Sequence, residues 1–151
     1  MQAARRSASP RHPDADRVAN VLVVLSDGED NSSHTSLKQA IQVEERTGVT
    51  VYSISTREDI GDKTDADKVL EVLAERSGGE AMFPHDAPGL SASFNKLRNV
   101  IRSRYFIAYK PAGFIPDGRY RSIHVTAVKD GQQLNVRTRQ GYYARFESKP
   151  N

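Results

Sequence analysis

Hard oxygen donors collect in one short stretch of the sequence, VLVVLSDGEDNSS (residues 21–33), where an apolar run passes directly into carboxylates and hydroxyls. Asp27 comes first, and Gly28 permits a tight turn directly after it. Carboxylate and hydroxyl oxygens are the ligands that Mg²⁺, Mn²⁺ and Ca²⁺ prefer in proteins. The stretch therefore predicts a cation site, with Asp27, Asp30 and Ser26 as its candidate ligands.

The same residues also fit a simpler interpretation, because acidic loops are common between a strand and the helix that follows it. A solvated loop that leads into a helix cap accounts for Asp30 and Ser32 without any metal. His34 stands near Asp27 but has no nucleophile at a spacing typical of catalysis. On chemistry alone, the cation site and the plain turn both stay open.

Signatures of the common enzyme classes are absent from the sequence. It contains no glycine-rich phosphate loop, no Ser/His/Asp set and no pair of carboxylates at catalytic spacing. A phosphoacceptor of the receiver kind needs a lysine after its last parallel strand, where this chain has His85 and Asp86. We therefore expect no enzymatic activity and assign no catalytic residue. A metal-dependent phosphohydrolase or phosphoacceptor that uses Asp27 and Asp30 is the remote alternative.

Length and composition set broad limits on the class of protein. The 151 residues suit a single domain, and no apolar run approaches the roughly 20 residues that span a bilayer. Residues 1–17 have arginines but no apolar stretch after them, so they predict a disordered arm and not a secretory signal. Without cysteine there is no disulfide and no thiolate chemistry, which leaves the compartment undetermined.

Charge is distributed unevenly along the chain, whose net charge is +3. Residues 18–95 carry six Lys or Arg against fourteen Asp or Glu, a net of −8, and residues 96–151 carry twelve against three, a net of +9. Either these two parts attract each other, or the basic part meets an anionic partner. We favour the first interpretation, because the basic residues alternate with apolar ones as on the solvated face of a sheet.

Strands and helices alternate over residues 18–103, which predicts a parallel sheet in a Rossmann-like, three-layer α/β fold. The apolar runs 18–26 and 49–55 predict two buried strands, and EAMFP (residues 80–84) predicts a short third one. Asp27 then follows the first strand directly, at the carboxyl edge of the sheet, where ligands bind in such folds.

Three helices are predicted between and after these strands. The first begins with a Ser-x-x-Gln capping box at Ser36 and ends at Gly48. In the other two, apolar residues recur at helical spacing and are expected to face the core. They are Ala66, Val69, Leu70, Leu73 and Ala74 in the second helix, and Leu90, Phe94, Leu97 and Ile101 in the third.

Beyond the third helix the pattern changes to short antiparallel strands. RYFIAYKP (residues 104–111) predicts a strand that ends at proline, and Asp130-Gly131 predicts a two-residue hairpin turn. Alternation predicts that Ile123, Val125, Ala127, Leu134 and Val136 face inward, with His124 on the solvated face. We therefore expect a disordered arm over 1–17, a partial α/β domain over 18–103, and a β extension over 104–147 packed on the same body.

Aromatic residues interleave with arginine in this basic C-terminal part. Such a pattern can form a stacking surface for single-stranded nucleic acid. More often these rings seal a hairpin onto the body of a protein, and no RNA-binding signature accompanies them here. We expect no nucleic-acid partner. The residues are Tyr105, Phe106, Tyr109, Tyr120, Tyr142, Tyr143 and Phe146.

Several motifs resemble, in order, parts of the von Willebrand factor type A domain. VLVVLSDGEDNSS looks like the family's fourth strand and its Asp-Gly turn, VTVYSIS like the next strand, and LAERSGGEAMFP like the last helix, turn and strand. YRSIHVTAV and VRTRQGYYA are similar to the tail of a bacterial, acidobacterial-type subgroup called VWFA-related proteins. The resemblance covers residues 18–146 and implies a protein–protein interaction module.

That resemblance also implies what is missing. In the family, an Asp-x-Ser-x-Ser motif, a Thr and the Asp of the Asp-Gly turn hold a Mg²⁺ or Ca²⁺ ion, and the partner supplies a further carboxylate. Here only Asp27 matches, beside Ser26 and Asp30, while Gly28, Glu29 and Asn31 are implied to meet the partner. The sequence thus resembles only the C-terminal half of the domain, with an incomplete metal-ion-dependent adhesion site that holds no ion tightly alone.

An incomplete sheet has a structural consequence. In the family's strand order the fourth strand is central, and its neighbour, the first strand, has no counterpart here. The strand 18–26 is therefore expected to be an apolar edge with unpaired backbone groups. Three outcomes stay open: self-association along this strand, pairing with a separately encoded first half, or a truncated gene fragment without independent activity. Relatives of this kind are often exported, but the compartment of this chain is left unknown.

Overall fold

The computed structural model of the chain describes residues 20–26, 36–57, 63–109 and 111–145. Its central feature is a parallel sheet in the order β1-β2-β3, formed by β1 (Val21–Ser26), β2 (Thr50–Ser55) and β3 (Ala81–Met82). Val21 pairs with Thr50 and Ser26 with Ser55, so β1 and β2 are in register over six residues. β2 is buried along its whole length because it has a neighbour on each side.

Three helices flank this sheet: α1 (Leu37–Thr47), α2 (Asp65–Ser77) and α3 (Ala87–Arg102). The predicted capping box at Ser36 is confirmed, since Ser36 Oγ accepts the N–H of Gln39 and the Gln39 side chain accepts the N–H of Ser36. Gly48 ends α1 in the left-handed conformation, as predicted. The α/β fold class with a parallel sheet is therefore confirmed.

In the predicted inner stripe of α2, Leu70 and Ala74 are buried, whereas Val69 is more than a third exposed and that part of the prediction is wrong. A further core cluster lies between the sheet and α3. It consists of Tyr52, Ile54, Met82 and Leu97, with Val21, Val23, Leu90 and Val100 packed against them. The predicted inner stripe of α3 is wrong in part, because Phe94 and Ile101 are more than a third exposed. Val100 takes the inward place instead, since it lies one turn from Leu97 on the side that meets the sheet.

The C-terminal extension forms two separate strand pairs. β4 (Tyr120–Ser122) pairs with β7 (Gly141–Tyr143), and β5 (Ala127–Lys129) pairs with β6 (Gln132–Leu134), all antiparallel. The predicted Asp-Gly turn joins β5 to β6, with φ of 51° at Asp130 and 79° at Gly131. Ile123, Val125, Ala127 and Val136 are half-buried and His124 is exposed, as the alternation predicted.

Two predictions for the C-terminal part are wrong. Residues 104–109 are in no strand, and all of them are exposed, although their sequence is typical of one. Leu134 is exposed on the hairpin instead of facing inward, because β5 and β6 pair only with each other and no other described strand covers them. Both errors have one cause: an apolar pattern shows which residues favour a strand but not whether a neighbour is available.

The extension is attached at the end of the sheet where β2 and β3 begin. The N–H of Gln140 donates to the carbonyl of Arg76, at the end of α2. Next to it, Gly78 has a φ of 82° and lies so close to the backbone of Thr138 that a side chain would collide with it. Arg137 also forms an ion pair with Glu80, which precedes β3. The carboxyl edge of the sheet is at the opposite end.

Candidate functional site

Ser26 is the one predicted site residue that lies within the described part of the chain. It ends β1 at the carboxyl edge of the sheet, beside Ser55 of β2, and its carbonyl accepts the N–H of Thr56 at 3.0 Å. The other predicted ligands and contact residues fall outside the described residues, so their assignments stay predictions: they are Asp27, Gly28, Glu29, Asp30 and Asn31.

A buried carboxylate that the sequence analysis did not single out lies at this same edge. Asp67, in the first turn of α2, is only 1% exposed. Its Oδ2 pairs with Nη2 of Arg57 at 3.2 Å and accepts the N–H of Thr64 at 3.0 Å, while Ser55 Oγ donates to Oδ1 at 3.3 Å. The Thr-x-x-Asp pattern of a capping box at residues 64–67 was the signal that could have revealed it.

Asp67 is an anion in the folded protein. Burial is the largest single influence on its pKa and raises it, but the hydrogen bonds from Thr64 and Ser55 and the charge of Arg57 together outweigh burial and lower the pKa. Since its oxygens already accept these bonds, Asp67 fixes the start of α2 against the end of β2. We assign it a structural role at the candidate site.

The described donors at this edge do not fit a metal ion by themselves. Asp67 is already paired, and the hydroxyls of Ser26 and Ser55 add only two oxygens beside it, whereas Ca²⁺ takes about six to eight oxygens and Mg²⁺ requires nearly octahedral order. In the described ranges no group of three or more His, Asp or Glu side chains could hold a metal. Any cation here would therefore need ligands from the loop that carries Asp27, or from a partner.

The outer edge of β1 is the second notable feature of this end of the molecule. Among the described residues β1 pairs only with β2, so one of its two edges has no neighbouring strand. Leu22 and Leu25 are 49% and 50% exposed, and they lie on opposite faces of the sheet because their positions differ by an odd number. Each face of the sheet therefore exposes one leucine side chain of β1 to solvent.

A narrow cleft separates α1 from the C-terminal extension at the far end of the molecule. Glu44 of α1 lines it and is 6% exposed, and its Oε2 is buried without a hydrogen-bond partner among the described residues. Burial and the nearby charge of Glu45 raise the pKa of Glu44 to about 7, against a smaller lowering by Arg76. Sequence reasoning missed this group, because a glutamate on a helix is usually solvated.

A comparison with protein-family models identifies the fold. The model described as "von Willebrand factor type A domain" matches residues 1–96, which is more than half of the chain. The chain belongs to the von Willebrand factor type A domain family. The match runs from the N-terminus into α3 and leaves the C-terminal extension outside it. Domains of this family are generally non-enzymatic modules that mediate protein–protein interactions.

Other comparisons add little. No curated protein matches the chain. Among solved structures, an uncharacterized membrane spanning protein from Vibrio fischeri is similar, with a TM-score of 0.46 and 14% sequence identity over 54% of this chain and 47% of that one. The chain thus spans about half the length of that protein. Within the described residues of our chain, every helix is too short or too polar to cross a membrane.

Proposed function

We propose that this chain is a non-enzymatic interaction module whose protein partner completes the sheet at β1 and the cation site beside it. In this proposal Asp27, with Ser26 and Asp30, is what the chain contributes to a metal-ion-dependent adhesion site. Gly28, Glu29 and Asn31 meet the partner. The Asp-x-Ser-x-Ser and Thr elements, and with them tight binding of Mg²⁺ or Ca²⁺, come from the complementing polypeptide.

One observation supports this proposal most strongly: β1 has the composition of a central strand but lies at the edge of the sheet that the described strands form. VLVVLS is apolar and β-branched without alternation, as in strands buried on both faces. Yet two of its leucines are half-exposed, whereas every residue of β2 is buried. A polypeptide that adds a strand beside β1 would cover Leu22 and Leu25 and would stand next to the loop that carries Asp27.

The partner is tested by affinity capture from cell extract with three forms of the chain. They are the wild type, a double variant Leu22→Lys/Leu25→Lys that places charge on the β1 edge, and a control Val128→Lys that changes another exposed apolar residue, on the β5–β6 hairpin. A protein recovered with the wild type and the control but lost with the edge variant supports the proposal. Equal recovery with all three contradicts it.

The incomplete cation site is tested by titrating the purified chain with Mg²⁺ and with Ca²⁺ in a calorimeter. One or two carboxylates on a loop give weak, unsaturated binding, so we expect no dissociation constant below about 1 mM. Binding tighter than about 10 µM that disappears in Asp27→Ala would show that the chain assembles a complete shell by itself, and the partner would then not be needed for the metal.

The exposed apolar residues on β1 and in residues 104–109 also favour a second candidate, a truncated domain without independent activity. Thermal unfolding followed by near-ultraviolet circular dichroism separates the two. A cooperative transition with a near-ultraviolet signal indicates fixed packing around Tyr52 and supports the interaction module. A broad, non-cooperative loss of signal indicates loose packing and favours the truncated fragment.

A further inference from the structure

Residues 104–109 (RYFIAY) connect α3 to the C-terminal extension without joining any sheet. Tyr105 is 88% exposed and Ile107 is 61% exposed, which is unusual for residues of this size and polarity. Within the described part of the chain, Tyr105, Ile107 and Ala108 make no backbone–backbone hydrogen bond. Apolar residues with free backbone groups are what a strand offers when it adds to the edge of another sheet.

The outer edge of β1 has the complementary features. Its backbone is paired with β2 on one side only among the described residues, and Leu22 and Leu25 stand half-exposed beside the open side. Tyr105, Ile107 and Ala108 of the segment therefore offer backbone donors and acceptors to an edge that is paired on one side only among the described strands, and both surfaces carry exposed apolar side chains. A single chain holds both surfaces, so two copies suffice to form the contact.

Charge favours pairing of β1 with residues 104–109 over pairing of β1 with itself. Two β1 edges brought together would place two acidic bodies side by side, because residues 18–95 carry a net charge of −8 in each copy. Residues 104–109 lie in the basic part, which carries +9, and exposed Arg98 and Arg102 of α3 stand just before them. Contact between this segment and β1 joins charges of opposite sign, which speeds this association and disfavours pairing of one β1 edge with another.

We infer that residues 104–109 of one copy add as a strand to the open edge of β1 in a second copy, so that the chain associates with itself head to tail. This inference rests on one part of the proposed function, that the open edge of β1 is a binding surface. A second copy carries no Asp-x-Ser-x-Ser motif, so residues 104–109 would occupy that edge in place of the complementing polypeptide and would not complete the cation site. The contact is heterologous: a copy that uses its segment still offers its own β1 edge. Association therefore continues beyond the dimer unless a ring closes.

The test uses light scattering after size-exclusion chromatography of the full chain, with two variants that each remove one half of the contact. The edge variant is Leu22→Lys/Leu25→Lys, and the segment variant is Tyr105→Lys/Ile107→Lys. All four residues are exposed, so the lysines reach solvent in the free chain. Val128→Lys is the control, and Leu22→Gln/Leu25→Gln replaces the edge variant if circular dichroism shows that the lysines unfold it.

We expect the mass of the wild type and of the Val128→Lys control to rise with concentration between about 10 µM and 1 mM. Each double variant alone should stay a monomer. A one-to-one mixture of the two should give a heterodimer and nothing larger, because only one intact contact can form between them. A mixture that stays monomeric, or a wild type that stays monomeric throughout, overturns the inference.

Two further outcomes separate this inference from the proposed function. If the segment variant still associates while the edge variant does not, then β1 pairs with itself: the inference fails, and the open edge stays the binding surface. If the edge variant associates as the wild type does, the proposed function loses its main support as well. Salt gives an independent check, since raising NaCl from 0.05 to 0.5 M should weaken head-to-tail association by roughly fivefold or more. Unchanged or stronger association at high salt counts against the role of charge and overturns the head-to-tail arrangement.

Discussion

Glu44 is expected to make this protein less stable as the pH rises through neutrality. Its carboxyl has a pKa of about 7 in the folded chain, compared with 4.5 for a solvated glutamate. Between these values the folded chain holds a proton that the unfolded chain has released. Unfolding then releases a proton, so the free energy of unfolding falls as the pH rises from 4.5 to about 7.

The size of this effect follows from the difference between the two pKa values. A difference of this size corresponds to about 3 kcal/mol. The cleft is open to water on one side, which weakens the effect of burial, so we expect about 2 kcal/mol to be lost between pH 4.5 and pH 8. For a chain of this length that is a fall of roughly 4–8 °C in the melting temperature.

The assay is thermal unfolding of wild type and Glu44→Gln across this pH range. Glutamine keeps the shape of the side chain and cannot ionise, so its melting temperature should change little with pH and should exceed that of wild type at pH 8. Glu44→Met, which also removes the unpartnered oxygen, should be at least as stable as Glu44→Gln at pH 8. Glu71→Gln is the matched control, because Glu71 pairs with Lys63 at the surface of α2.

If wild type and Glu44→Gln lose stability in parallel between pH 5 and pH 8, Glu44 does not cause the pH dependence. The same holds if Glu71→Gln makes the melting temperature as independent of pH as Glu44→Gln does. Either result would mean that the pH dependence of the melting temperature comes from other titratable groups. The charged groups around Glu44 are Glu45 on its own helix, Arg76 at the end of α2 and Arg139 of the extension, and the neutral phenol of Tyr120 lines the same cleft. A flat wild-type profile would mean that water reaches Glu44 and keeps its pKa low.

Three further predictions concern one contact within the body and two contacts between the body and the extension. Asp67→Asn should lower the free energy of unfolding by about 2–3 kcal/mol in urea titrations at pH 7, because it removes a buried carboxylate that pairs with Arg57 and accepts the N–H of Thr64. The loss should shrink as the pH falls below about 4, since the pKa of Asp67 is lowered and wild type then loses the same pair. Glu80→Gln removes the ion pairs to Lys96 and Arg137, so limited proteolysis should cleave the extension faster while the body survives; an unchanged cleavage rate would contradict this. Gly78→Ala should destabilise the chain by at least about 2 kcal/mol, because its φ is positive and a methyl group would collide with the backbone of Thr138. If thermal unfolding shows unchanged stability for Gly78→Ala, the extension moves away from the added methyl group without a cost in free energy.

Local signals in the sequence were sufficient to predict the α/β body. The capping box at Ser36 and the glycine at position 48 fix the two ends of α1 through the backbone groups of one turn. The Asp130-Gly131 turn is likewise decided by two residues, because few others tolerate positive φ at both positions. Such features need no knowledge of the rest of the chain.

The candidate site was only partly predictable. Ser26 stands at the carboxyl edge of the sheet because the end of an apolar run marks the end of a strand. Asp67 and Glu44 were missed because their importance comes from burial by elements distant in sequence, and not from their neighbours along the chain. A carboxylate in the first turn of a helix is usually exposed, and here only the packing of α2 against β2 shows that Asp67 is covered.

Residues 104–109 and β1 share a feature that bears on function. A strand-like sequence favours pairing with a neighbouring strand. In the described part of the chain residues 104–109 have no such neighbour, and β1 has one on a single side. Local preference and observed structure normally agree in a natural domain, and disagreements are expected where function requires them. Two unsatisfied strand-like segments, one beside an acidic loop and the other in a basic region, are therefore better explained by a contact that forms between polypeptides than by chance.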